Sequence, residues 1–203
     1  LVTLRTPEKV REVHLAETET GRQPLSFNVI LDVSGSMRGM KIENAKQALR
    51  MAAKMLRNGD QIALSVFSDS PKLVLPPSSY NDQTRELFEN AVDELRTGGM
   101  TALHGGLSLG LEQAQEMHSD NNLTLLLSDG QANVGETDLE IIGRIAKDAA
   151  DSGLIVSTLG VGMDYNEALM TEIATQRKGR FYHVKSPAEI AQTMTAELGE
   201  VAD

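Results

Sequence analysis

A chain of 203 residues, 40% of them hydrophobic, can bury one substantial core, and its length favours one domain or at most two. Nineteen basic against 29 acidic residues leave a formal net charge of -10; with Lys and Arg scattered along the chain, a phosphate backbone would be repelled, so no nucleic-acid partner is expected. Cysteine is absent, which removes disulfides, thiolate metal sites and cysteine nucleophiles, and no apolar run approaches the roughly 20 residues that span a bilayer, so no membrane contact is evident.

Residues 1–24 combine a short alternating start, Leu1 to Leu4, with charged and turn-prone residues, and read as an arm or linker ahead of a domain over 25–203. The start at Leu1 has neither an initiator Met nor a charged-then-apolar signal pattern, so the chain reads as a piece of a longer protein. From Leu25 to Leu31 a β-branched and aromatic run suits a strand buried on both faces, ending at Asp32. After a Gly-rich bend, Ile42, Ala45, Leu49, Ala52 and Leu56 recur at steps of three and four, a helix that stops at Asn58-Gly59. Gln61 to Phe67 then reads as a strand and Lys72 to Leu75 as a short edge strand. Thr84 to Leu95 reads as a helix burying Leu87, Ala91 and Leu95. Leu103, Leu107, Leu111 and Ala114 mark another helix, Leu123 to Leu127 a very apolar strand, and Leu139, Ile142, Ala146 and Ala149 the helix after it. Leu154 to Val161 is expected as a strand, Asn166 to Thr175 as a helix and Arg180 to Val184 as a strand. The last helix is expected over Pro187 to Leu198, with Ile190, Met194 and Leu198 inward. Strands alternating with helices imply a doubly wound, Rossmann-like α/β fold in three layers, with a mostly parallel sheet of about six strands. In such sheets ligands gather beyond the carboxyl ends of the strands, near the switch point.

That edge is where the chemistry-bearing residues fall. Asp32-Val33-Ser34-Gly35-Ser36 follows the first strand, with oxygen-bearing side chains at every second position. Ser128-Asp129-Gly130 follows the apolar strand, and Gly98-Gly99-Met100-Thr101 puts a hydroxyl on the loop opening a helix. Asp32 and Asp129 with the hydroxyls of Ser34, Ser36 and Thr101 make an all-oxygen set of low charge, suited to a small hard cation such as Mg2+, with Mn2+ or Ca2+ possible. Taken singly, each element has a plainer reading: a helix-capping turn, a turn dipeptide, an ordinary glycine loop. Three in order at predicted strand ends argue for one site.

Together, these three elements resemble the metal-ion-dependent adhesion site of von Willebrand factor type A domains, and the resemblance spans about Leu25 to Leu198. The wording Asp-Val-Ser-Gly-Ser-Met, with Ser-Asp-Gly-Gln-Ala-Asn and Leu-Gly-Val-Gly beyond it, is similar to the prokaryotic and calcium-activated-chloride-channel-like branch. The resemblance implies direct ligation by Ser34, Ser36 and Thr101, with Asp32 and Asp129 ligating directly or through water. It implies too that the domain is not an enzyme and that the open position takes an Asp or Glu from a protein partner, for adhesion or assembly. Met37, Arg38 and Gly39 stand where integrin β domains carry acidic residues for an adjacent ion, so no second metal is expected. His104 is a candidate for the rim or simply a solvated histidine; Met37, Met40 and Met100 are core fillers or part of the contact face. Two alternatives stay open. One is a Mg2+-dependent phosphoryl-transfer enzyme with Asp32 as nucleophile, which lacks a second acid at Ser34 and a Lys or Arg in a matching motif. The other is a structural subunit whose metal only stabilises the fold.

Overall fold

A computed structural model describes residues 23–117, 119–129, 132–162, 165–176 and 178–184, with Glu189, Gln192, Thr193 and Ala196. The elements run β1 (Leu25–Asp32), a single 3-10 turn (Gly35–Met37), α1 (Met40–Ala53), β2 (Gln61–Phe67), β3 (Pro71–Ser79), α2 (Asp82–Glu94) and α3 (Leu103–Glu116). Then follow β4 (Asn121–Ser128), α4 (Leu139–Asp151), β5 (Val156–Val161), α5 (Glu167–Ala174) and β6 (Phe181–Val184). The strands form one sheet in the order β3-β2-β1-β4-β5-β6, in which only β3 runs antiparallel. Winding therefore reverses between β2 and β4, on either side of β1, and the switch point lies at the carboxyl ends of β1 and β4.

Both faces of the sheet are covered. Phe27, Val29 and Leu31 of β1 and Leu123, Leu125 and Leu127 of β4 point to one core with Ile42, Ala45 and Leu49 of α1 and Phe88 and Val92 of α2. Ile30 and Leu126 point the other way, to Leu103, Leu107 and Leu111 of α3, Ile142 and Ala146 of α4 and Leu169 and Ile173 of α5. Continuous apolar runs are what strands buried on both sides require. The second face also carries small polar groups: the Asn28 amide donates to the Gly110 carbonyl at 2.8 Å and to Thr124 Oγ1 at 3.3 Å. There α3 comes very close, because a Cβ on Gly106 would stand 2.3 Å from the Phe67 ring and one on Gly110 2.3 Å from the Ile30 side chain.

Four details depart from the sequence reading. In α2 the buried residues are Thr84, Phe88 and Val92, while Leu87 is exposed; the pair of larger reach, Phe88 and Val92, takes the core and turns the helix by about one residue. Leu139 is exposed at the start of α4, where its Asp138 cap faces solvent. The expected strand Lys72 to Leu75 is longer, Pro71–Ser79, since at a sheet edge the missing N–H groups of Pro76 and Pro77 need no partner. Helix α1 ends at Ala53, and Leu56 is buried from the turn beyond it. The arm over residues 1–24, apart from Gln23 and Pro24, lies outside the described residues. So does most of the expected last helix, Pro187 to Leu198, Ile190, Met194 and Leu198 included. Among the described residues no helix is long and apolar enough to cross a membrane.

Candidate metal centre

Three loops at the switch point are laced together by main-chain hydrogen bonds. The Val33 N–H donates to the Phe67 carbonyl at 2.9 Å, carrying the end of β1 past β2. The Gly98 N–H donates to the Val33 carbonyl at 2.9 Å and the Gly35 N–H to the Gly99 carbonyl at 3.0 Å, so the loop before α3 is tied to the loop after β1. Gly99 has φ +74, and a Cβ there would stand 2.4 Å from Asp69 Oδ2; Asp69 Oδ1 in turn accepts the Met100 N–H at 2.8 Å. Glycine suits this turn, where any larger residue would be strained. On its far side the Thr101 N–H donates to Asn133 Oδ1 at 2.8 Å, and the Asn133 N–H to the Thr101 carbonyl at 3.1 Å. Thr101, itself buried, is thereby joined to the segment after β4.

Into this frame the end residues of β1 and β4 project from the same face. Asp32 is wholly buried; its Oδ1 accepts the Ser34 N–H at 2.8 Å and its Oδ2 accepts the Ser128 hydroxyl at 2.6 Å. Burial pushes its pKa above the usual carboxylate value, the hydrogen bonds from Ser128 and Ser34 pull it back, and the nearby Asp129 charge adds to the rise. Ser34 is buried and Ser36 exposed, and their Oγ atoms lie 3.0 Å apart. Asp129 is buried at the end of β4, with Lys41 Nζ 3.0 Å from Oδ2. Its Oδ1, also buried, has no hydrogen-bond partner among the described residues.

Such an oxygen is a costly thing to leave alone: an unsatisfied buried acceptor costs about 1–3 kcal/mol, more when charged. A hard cation would satisfy it, and the neighbouring donors are hydroxyl and carboxylate oxygens of the kind such a cation takes. The set depends on hydroxyls, for among the described residues no three His, Cys, Asp or Glu side chains gather as metal ligands would. Of the sequence candidates, Ser34, Ser36 and Thr101 fall in the laced loops, Asp32 ends β1 and Asp129 directly follows β4, whereas Met37 is fully buried and belongs to the core. Met40 and Met100 are 72% and 48% exposed, so these two alone of the three methionines remain available at the surface. Sequence reasoning missed the roles of Lys41, Asn133, Asp69 and the Ser128 hydroxyl; Ser128 and Asn133 stood within the recognised elements and Lys41 near one, but nothing in their spacing announced their partners.

The chain matches the family model for the von Willebrand factor type A domain over residues 28–196. It is 30% identical over 181 residues to the protein sll0103 of Synechocystis, covering 88% of this chain and 42% of that one. In three dimensions it is similar to a von Willebrand factor type A protein from Catenulispora acidiphila, with a TM-score of 0.77 and 21% identity over 89% of this chain and 43% of that one. It is similar as well to the pilus adhesin SpaC of Lactobacillus rhamnosus GG, with a TM-score of 0.72 and 15% identity over 90% of this chain and 31% of that one. The chain spans less than half the length of the curated relatives it matches first.

Proposed function

The chain belongs to the von Willebrand factor type A domain family, typical of adhesion and protein-interaction modules, and from that membership we propose that it is a metal-dependent protein-binding domain without catalytic activity. It holds one divalent cation, Mg2+ with Mn2+ or Ca2+ as substitutes, through Asp32, Ser34, Ser36, Thr101 and Asp129, and captures an Asp or Glu side chain of a partner. The observation that carries this reading is the buried Oδ1 of Asp129, without a partner among the described residues, at a rim where the Ser34 and Ser36 oxygens lie 3.0 Å apart.

When bound, the ion supplies an electrophilic anchor for a carboxylate, and a site rich in neutral hydroxyls leaves much of its charge uncompensated. The chain's own residues do the positioning. Asp32 holds the Ser34 main chain in place, Asn133 fixes the Thr101 loop, and the exposed Met40 and Met100 offer apolar flanks to a partner. The adhesin among the structures of the same fold is compatible with this role.

Calorimetric titration of chelator-treated protein with Mg2+, Mn2+ and Ca2+ tests the proposal, with Asp32→Ala and Ser34→Ala checked for folding by circular dichroism. A single site in the wild type, lost in both variants, is the expected result. Failure of the wild type to take up any of the three ions at millimolar concentration overturns it.

A further inference from the structure

Lys41 is the second residue of α1, and two features hold it in one place. Its Nζ lies 3.0 Å from Asp129 Oδ2, and its stem crosses Gly162, just past β5, where a Cβ would stand 2.7 Å from Lys41 Cε and 3.3 Å from Nζ. Gly162 has φ +99, a conformation that favours glycine and leaves the lane for the lysine open. The ammonium thus engages one oxygen of Asp129 and leaves the other, Oδ1, buried and without a partner among the described residues.

We infer that Lys41 is the resident counter-charge of the cation site: it confines Asp129 to offering Oδ1, and its charge opposes the incoming ion, so that it sets the affinity for metal below what the oxygen ligands alone would give. This rests on the metal-binding reading above. Two carboxylates, Asp32 and Asp129, and one ammonium give the empty ligand set a net charge of -1. A divalent ion brings it to +1, against neutrality without the lysine. The same residue that weakens uptake therefore leaves the loaded site more attractive to an anionic group.

The test measures Mg2+ affinity by calorimetry on the chelator-treated whole chain at about 0.15 M salt, where charges within about 8 Å still interact. Lys41→Met is expected to bind Mg2+ on the order of tenfold more tightly, the size expected when one positive charge is removed from beside a divalent ion in a water-like dielectric. Lys41→Arg, which keeps the charge, and Lys54→Met, an exposed lysine beyond the far end of α1, should both stay within about twofold of wild type. Without metal, Lys41→Met should melt at a lower temperature than wild type, because Asp129 loses its counter-ion, and Mg2+ should raise its melting point by more. If Lys41→Met does not fold, Lys41→Gln serves, since its amide can still donate to Asp129 while the charge is gone; the same tightening is expected. Unchanged or weaker Mg2+ binding by the neutral variants, in a wild type that does bind, overturns this inference alone. A wild type that binds no divalent ion overturns the metal reading and this inference with it.

Discussion

A carboxylate shut away from water is tolerable only if its oxygens are bonded, and Asp32 has one main-chain and one side-chain donor for the purpose. The Ser128 hydroxyl is the easier to test by substitution, because it is a side-chain donor from another strand and ties the ends of β1 and β4 together. Ser128→Ala should lower the unfolding free energy of chelator-treated protein at neutral pH by about 1–3 kcal/mol, the cost of leaving a buried acceptor short of a partner. Urea denaturation measures this, and an unchanged midpoint would mean that the main-chain bond from Ser34 suffices. Asp129 is the opposite case: one oxygen answers to Lys41 and one to nothing among the described residues. The contrast between two acids at one rim is what gives the site its chemical direction.

At the scale of elements, the close seating of α3 on the sheet fixes the loop that carries Thr101. Gly106 and Gly110 let the helix lie against Phe67 and Ile30, and Leu103, Leu107 and Leu111 fill the spaces between. Gly110→Ala would press a methyl group into Ile30 Cδ1 and Cγ1, and overpacking of this kind costs about 1–3 kcal/mol. Because the clash is with the far end of a flexible side chain, Ile30→Val in the same chain should restore part of that loss. Thermal melts of the single and double variants measure the coupling, and simple additivity would show that the two positions do not press on each other. On the opposite face Lys46, almost wholly buried, donates to the Asp93 and Leu95 carbonyls at 3.2 and 2.9 Å, at the end of α2. That bond joins α1 to α2 and keeps the covering layer of the first core in register.

For the whole molecule, the strand order puts all the candidate ligands on one edge although they lie as far apart in the chain as Asp32 and Asp129. A cation bound there would be linked to folding, since the candidate ligands are brought together only in the native state. Mg2+ at about a hundred times its dissociation constant should therefore add about 2.7 kcal/mol to the unfolding free energy. For a chain of this length that is a rise in melting temperature of roughly 5–10 °C. Asp32→Ala should show no rise. Scanning calorimetry with and without chelator decides it, and an equal rise in the variant would place the bound ion elsewhere.

The order of strands and helices was legible in the sequence because the strands are buried on both faces and the helices on one, and these two conditions write different apolar periods. Leu25 to Leu31 and Leu123 to Leu127 read as central strands, and the oxygen-bearing residues at their ends marked the edge where a ligand would belong. Periodicity could not decide which of two adjacent stripes of α2 faces inward, since Leu87 with Ala91 and Phe88 with Val92 share the same spacing; that depended on the space left beside β1 and β2. Nor could it pair Lys41 with Asp129, 88 positions away, or seat α3 through Gly110 against Ile30. Those contacts arise where separate elements meet, and their energies depend on distances that only the folded chain sets.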